Sequence, residues 1–147
     1  MKLQDFLPSE NIVVGVQAAS KDQVLRLLAE IASKKSKLAA GDISKGLLER
    51  ERLGSTGIGD GIAIPHARFE ALQEPLCLCA KLAKPVDFDA MDGLPVDVVI
   101  LLLSPAGAGR DGLNMLSCVA RKFRDDRILP AICQAGSAEE IYAILTA

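Results

Sequence analysis

Tryptophan is absent from this 147-residue chain, tyrosine occurs once and phenylalanine four times. A nucleic-acid-binding surface normally joins stacking aromatics to a basic face. Neither is present: 17 Lys and Arg stand against 19 Asp and Glu, for a net charge of −2 and a pI near 5.4. Histidine occurs once, at His66. Zinc centres built on several imidazoles therefore have no support, and Cys77-x-Cys79 lacks the C-x-x-C spacing. The four cysteines, Cys77, Cys79, Cys118 and Cys133, form no disulfide framework and are expected to pack as small hydrophobes. The longest strongly apolar run, residues 98–103, falls far short of the ~20 residues that span a bilayer. No signal-peptide segment follows the first residues, so a reducing, cytoplasmic setting is expected, without membrane insertion. No repeat, low-complexity tract or Pro/Gly-rich linker divides the chain, which predicts one domain over residues 1–147.

What is present is a core-forming composition: 50% hydrophobic and 24% charged residues, with a mean hydropathy of +0.26. That excludes disorder. Residues 11–16 read as a first strand. Ser20-x-x-Gln23 is a capping box. The helix it opens carries Val24, Leu27, Leu28 and Ile31 on one face, at helical spacing. Lys34, Lys35 and Lys37 suit its C-terminal end as favourable charge. Asp42 is the expected cap of a second helix running to about Leu53, with Gly54 as the residue that ends it. Glu49, Glu51 and Arg52 are expected on the outer side of that helix. Residues 76–82 and 96–103 read as strands, the latter apolar on both faces and so central, with helices on each side. Asp111 is the expected cap of a further helix, another begins near Asp126, and Ser137-x-x-Glu140 opens the last. The predicted fold class is α/β: a three-layer α/β/α single domain with a mixed, mostly buried sheet.

Between the second helix and the middle of the chain lies Gly54-Ser55-Thr56-Gly57-Ile58-Gly59-Asp60-Gly61. It has no Lys, so it is not a Walker A loop. Its Gly57-x-Gly59-x-Gly61 spacing is not the dinucleotide fingerprint, and it follows a helix and precedes a strand, the wrong order for one. A turn cluster and an anion-cradling loop both remain open readings. Asp87-x-Asp89-x-x-Asp92-Gly93 has a calcium loop's flavour but the wrong third position, and Val98 stands where a bidentate Glu belongs, so a solvated turn is the expectation. No cofactor or metal is implied. Two residues stand out as candidates. His66 follows Pro65 just past the glycine-rich loop, and a neutral imidazole there is a nucleophile. Arg50 borders the inward stripe of its helix, where it serves either as a phosphate fork or as a stem packed over the core edge.

The stretch from Leu47-Leu48-Glu49-Arg50 through Gly54-Ser55-Thr56-Gly57-Ile58-Gly59-Asp60-Gly61 to Ile64-Pro65-His66-Ala67-Arg68 closely resembles the active-site segment of fructose/mannitol-type enzyme IIA domains of the bacterial phosphotransferase system. Pro85-Val86-Asp87-Phe88-Asp89-Ala90-Met91-Asp92-Gly93-Leu94-Pro95-Val96-Asp97 is similar to a second block of that family. The Gly-Ser-Thr-Gly-Ile-Gly wording is most similar to the nitrogen-regulatory branch. The resemblance implies that His66 accepts a phosphoryl group at Nε2 from an HPr-type phosphocarrier protein, and that Arg50 helps hold it. Ser55, Thr56, Gly57 and Gly59 are further candidate donors to the phosphate. It also implies regulatory target proteins as partners or, alternatively, a separate IIB domain of a sugar permease that receives the phosphate. Members of the family usually carry a second His in a His-Leu-x-x-Leu pattern, which here reads Gly112-Leu113-Asn114-Met115-Leu116. A side chain is expected to fit at Gly112, so that Gly112→His would aid phosphorylation.

Overall fold

The computed structural model describes residues 1–107 and 109–147. Its spine is strand β6 (Val96–Pro105), in which residues 98–104 are all buried. Alternate residues face opposite sides of a sheet. Val99, Leu101 and Leu103 accordingly enter one core, and Val98, Ile100 and Leu102 the other. Such a strand belongs at the centre, where the sequence reading put it. β5 (Leu76–Val86) pairs antiparallel along one edge of β6, with Leu76 opposite Leu103 and Lys81 opposite Val98. Along the other edge run two short parallel partners, β3 (Ile62–Ala63) and then β4 (His66–Phe69). β1 (Ile12–Val16) adds parallel to β5, and β2 (Gly57–Gly59) adds antiparallel to β3. The mixed sheet has the order β1-β5-β6-β3-β2, with β4 also on β6.

Helices cover both faces, giving the expected three layers. α1 (Lys21–Lys35) and α2 (Ala40–Arg52) bury Val24, Leu25, Leu28, Ile43 and Leu47 against one face. α3 (Asp111–Lys122), α4 (Ile128–Gln134) and α5 (Ala138–Thr146) bury Met115, Val119, Ile132 and Ile141 against the other. Cys77, Cys79 and Cys118 lie in that second core as hydrophobes. Burial holds the Cys79 thiol up at about 12 and Cys77 well above its usual range, so both stay protonated and inert. Cys133 is exposed instead.

The capping boxes form much as read. Ser20 and Ser137 accept from the N–H groups of Gln23 and Glu140. The Gln23 and Glu140 side chains reach one residue further back than a standard box, to the N–H groups of Ala19 and Gly136. Two expected caps shift. α2 starts at Ala40, so Asp42 sits inside its first turn, where a carboxylate complements the helix dipole rather than capping it. Asp111 is likewise the first residue of α3, after Arg110. Gly54 does end α2, at φ +153°. The strand expected over residues 76–82 runs on to Val86, past an irregular register between Lys81 and Val86 that accommodates Pro85.

The largest difference from the sequence reading is the glycine-rich loop, which contains a hairpin. Asp60 and Gly61 form its two-residue turn, both at positive φ (56° and 87°), the geometry that suits the twist of flanking strands. Asp92 accepts the N–H of Asp60 at 2.8 Å and that of Leu94, and these donors hold its carboxyl below the usual range. The Asp87–Asp92 segment is thus clipped to the hairpin.

Gly46 sets how closely α2 lies on β4. A Cβ there would stand 2.8 Å from the Phe69 ring. Gly46→Val is expected to lower stability by about 1–3 kcal/mol through overpacking, read as a drop in denaturation midpoint with an unchanged slope.

Candidate functional site

α2 and β4 bring the two singled-out residues together. Arg50 is on the last turn of α2, and His66 is the first residue of β4. Both are half-buried. The His66 ring is held from two sides. Its Nδ1 lies 2.7 Å from the carbonyl oxygen of Ile64. A carbonyl only accepts, so Nδ1 carries the ring proton and Nε2 keeps its lone pair. The Arg50 Nε–H points at that lone pair from 3.3 Å. Arg50 in turn donates from Nη1 to the carbonyl of Gly54 at 2.9 Å, which fixes the guanidinium plane. Arg50 thus presents its Nε–H to the imidazole while its Nη1 is held by the backbone.

The backbone carrying the imidazole is pinned from both directions. The Ile64 N–H donates to Thr56 O at 2.9 Å, and Pro65 O accepts from Leu102 N–H at 2.9 Å. Thr56 is itself anchored on Glu51, which accepts both its N–H and its hydroxyl. Glu51 is buried rather than on the outer side of α2 as expected, and its carboxylate also takes Lys21 Nζ at 3.3 Å. Lys21 bridges on to Asp89 at 3.1 Å. Burial disfavours the charged Lys21, but hydrogen bonds to Asp89 and Glu51 outweigh it and leave its pKa raised. Glu51 was missed as a positioning residue because helical spacing alone does not reveal that the chain beyond α2 folds back over it.

The four weaker candidates are used differently from the expectation. The Ser55 hydroxyl donates to Phe88 O and accepts the Gly57 N–H. The Thr56 proton goes to Glu51. Gly57 makes room for a close approach, since a Cβ there would meet Ala90 at 3.0 Å, and Gly59 at φ +93° packs on Asp92. Ser55, Thr56 and Gly57 thus spend their donors holding the loop in shape. None of the four lines the small cavity of about 70 Å³ beside His66, which is walled by Ala67, Arg68, Leu102, Ser104, Gly112, Leu113 and Leu116.

Gly112 is on this wall, as the first turn of α3 requires. Its φ is ordinary, as expected, but the expected free space is not there. A Cβ at 112 would lie 2.8 Å from Ser104 Oγ and 3.3 Å from Ser104 Cβ. A side chain fits only if Ser104 yields.

The lone imidazole, with its Nε2 facing a fixed guanidinium, stands beside a small cavity at the start of α3. The family model for the phosphoenolpyruvate-dependent sugar phosphotransferase system, EIIA 2, matches residues 5–147. The chain belongs to this family. Among its EIIA 2 relatives, a nitrogen regulatory protein of Bradyrhizobium diazoefficiens is 39% identical over 145 residues, covering 99% of this chain and 95% of the relative. The crystal structure of the nitrogen regulatory protein IIA-Ntr from Neisseria meningitidis superposes with a TM-score of 0.93 at 36% identity, covering 98% of this chain and 99% of that one. The fold is shared more widely. Enzyme IIAMTL of Escherichia coli, solved in complex with phosphorylated enzyme IIBMTL, matches with a TM-score of 0.81 at 21% identity, over 95% of this chain and 96% of its own.

Replacing Glu51 by Ala removes the acceptor of a buried N–H, a buried hydroxyl and Lys21 together. We expect a loss of about 3 kcal/mol or more, with Glu51→Gln less damaging, measured by chemical denaturation.

Proposed function

We propose that this protein is a regulatory phosphocarrier of the bacterial phosphotransferase system, a domain spanning residues 1–147 that takes a phosphoryl group on His66 from an HPr-type carrier. Its phosphorylation state is then read by regulatory target proteins in the cytoplasm. The observation that carries this reading is the Nδ1–H···O=C hydrogen bond from His66 to Ile64, which leaves the Nε2 lone pair facing Arg50. Support for the regulatory branch comes from the nitrogen regulatory relatives. Among the described residues, no helix is long and apolar enough to cross a membrane.

The chemistry follows from the geometry. The Nε2 lone pair attacks the phosphorus of the donor's phosphohistidine in line. The donor P–N bond breaks, and its electron pair returns to the donor nitrogen as the new P–Nε2 bond forms. The His66 ring becomes cationic while it retains Nδ1–H, and the Ile64 carbonyl stabilises that form. The donor ring, protonated at its other nitrogen, leaves as a neutral imidazole, so no proton needs to move. Arg50 loses its hydrogen bond to Nε2 and gains the phosphoryl oxygens, with Nη1 still anchored on Gly54. In such a transfer the protein contributes positioning and electrostatic stabilisation. Leu53 and Leu113 are exposed, the first beside the Arg50-bearing end of α2 and the second on the cavity wall, an apolar rim suited to a protein donor.

The same chemistry also serves onward transfer to a IIB domain, and the fold shared with a IIA solved against phosphorylated IIB keeps that second reading in view. A transfer assay with isolated IIB domains separates the two.

With phosphoenolpyruvate, enzyme I and an HPr-type carrier, the wild-type chain should acquire acid-labile phosphate, and His66→Ala none. Labelling of His66→Ala by this route contradicts the reading. Arg50→Ala should slow transfer by about 10²-fold or more while its melting temperature stays close to wild type. The opposite pattern would make Arg50 a packing residue.

A further inference from the structure

Ser104 lies on β6 with its side chain in the cavity beside His66. It is buried, at 6% exposure. Sheet register explains its place. His66 pairs with Leu102 and Arg68 with Ser104, so all four face the α3 side of the sheet. His66 and Ser104 are diagonal neighbours on adjacent strands, and both line the same small cavity.

The hydroxyl is also steered. The first turn of α3 crosses directly above it, and only the missing side chain at Gly112 leaves Ser104 Oγ its position, since a Cβ there would come within 2.8 Å. Gly112 and Ser104 therefore form a matched pair: a glycine opens the space and a hydroxyl occupies it. α3 has no side-chain cap at Arg110, and its first-turn residues Gly112 and Leu113 line the same cavity. Asp111 opposes an anion there, which leaves a neutral donor such as the Ser104 hydroxyl more to contribute.

Resting on the reading of His66 as a phosphoryl acceptor, we propose that Ser104 is a phosphoryl-binding residue of this site, whose hydroxyl donates a hydrogen bond to an oxygen of the phosphoryl group on His66, opposite the oxygens held by Arg50. Ser104 keeps its proton throughout. The only bonds exchanged are the donor's P–N bond, which breaks, and P–Nε2, which forms. The hydroxyl stabilises the phosphorylated product as well as the transition state, so it moves the equilibrium and not only the rate. A purely structural serine would leave that equilibrium alone.

The test compares wild type, Ser104→Ala, Gly112→Ala and the double variant, each with the HPr-type carrier and enzyme I. Readouts are the single-turnover rate, the equilibrium fraction phosphorylated at fixed carrier, and the melting temperature. Ser104→Ala should reduce rate and equilibrium constant about tenfold with little change in melting. Gly112→Ala should do the same by rotating the hydroxyl away, and adding it to Ser104→Ala should cost nothing further. Should Ser104→Ala fold poorly, Ser104→Cys, of similar shape but a weak donor, carries the same expectation. Phosphorylated wild type with variants that match it in rate and equilibrium overturns the role of Ser104 alone. A wild-type chain that takes no phosphate on His66 overturns the functional reading, and this inference falls with it.

Discussion

One hydrogen bond, from His66 Nδ1 to the carbonyl of Ile64, decides what the lone histidine can do. It fixes the tautomer, sets the ring's direction and leaves Nε2 as the reactive atom. A flexible histidine would share its proton between two nitrogens and point in several directions. The surrounding structure serves to hold the carbonyl and the ring in register. Ile64 hangs from Thr56, Thr56 from the buried carboxylate of Glu51, and Glu51 is the neighbour of Arg50 on α2. The imidazole and the guanidinium are therefore both referred to one helix end. A shift of that end would move both partners together rather than separate them.

The electrostatics are arranged in two tiers. The buried charges, Glu51 and Lys21, are paired and hydrogen-bonded, and so stabilise geometry rather than react. Arg50 is held at one end by a backbone carbonyl, which leaves other N–H groups of its fork for an anion. The exposed and half-buried groups thus stay available, while the buried ones set the frame. The glycine-rich loop belongs to the frame. Its hydroxyls and tight hairpin turn spend their hydrogen bonds on local shape, and its glycines admit Ala90 and Asp92 at close range.

Much of this was legible in the sequence because the signals are local or strongly periodic. The central strand announces itself by an apolar run on both faces, the capping boxes by four-residue spacing, and His66 and Arg50 by a motif shared with a family. The remainder depends on contacts between distant residues. Glu51 reads as a surface acid on a helical wheel, and only the fold-back of Thr56 buries it. Ser55 and Thr56 look like phosphate ligands because hydroxyls beside glycines often are, yet Phe88 and Glu51 claim them. The Asp60-Gly61 hairpin was hidden inside a glycine cluster whose strands are too short to show alternation. Ser104 had no sequence signal at all. It lies in an apolar strand far from His66 in the chain, and parallel register alone brings it to the site.

The account depends most on which nitrogen of His66 is free and which one becomes phosphorylated. Long-range ¹H–¹⁵N correlation of the ring, before and after phosphorylation by the carrier, measures both. The account predicts a proton on Nδ1 and a bare Nε2 in the unmodified protein, and phosphorus coupled to Nε2 with Nδ1–H retained afterwards. A proton on Nε2 at rest, or phosphate on Nδ1, would contradict it.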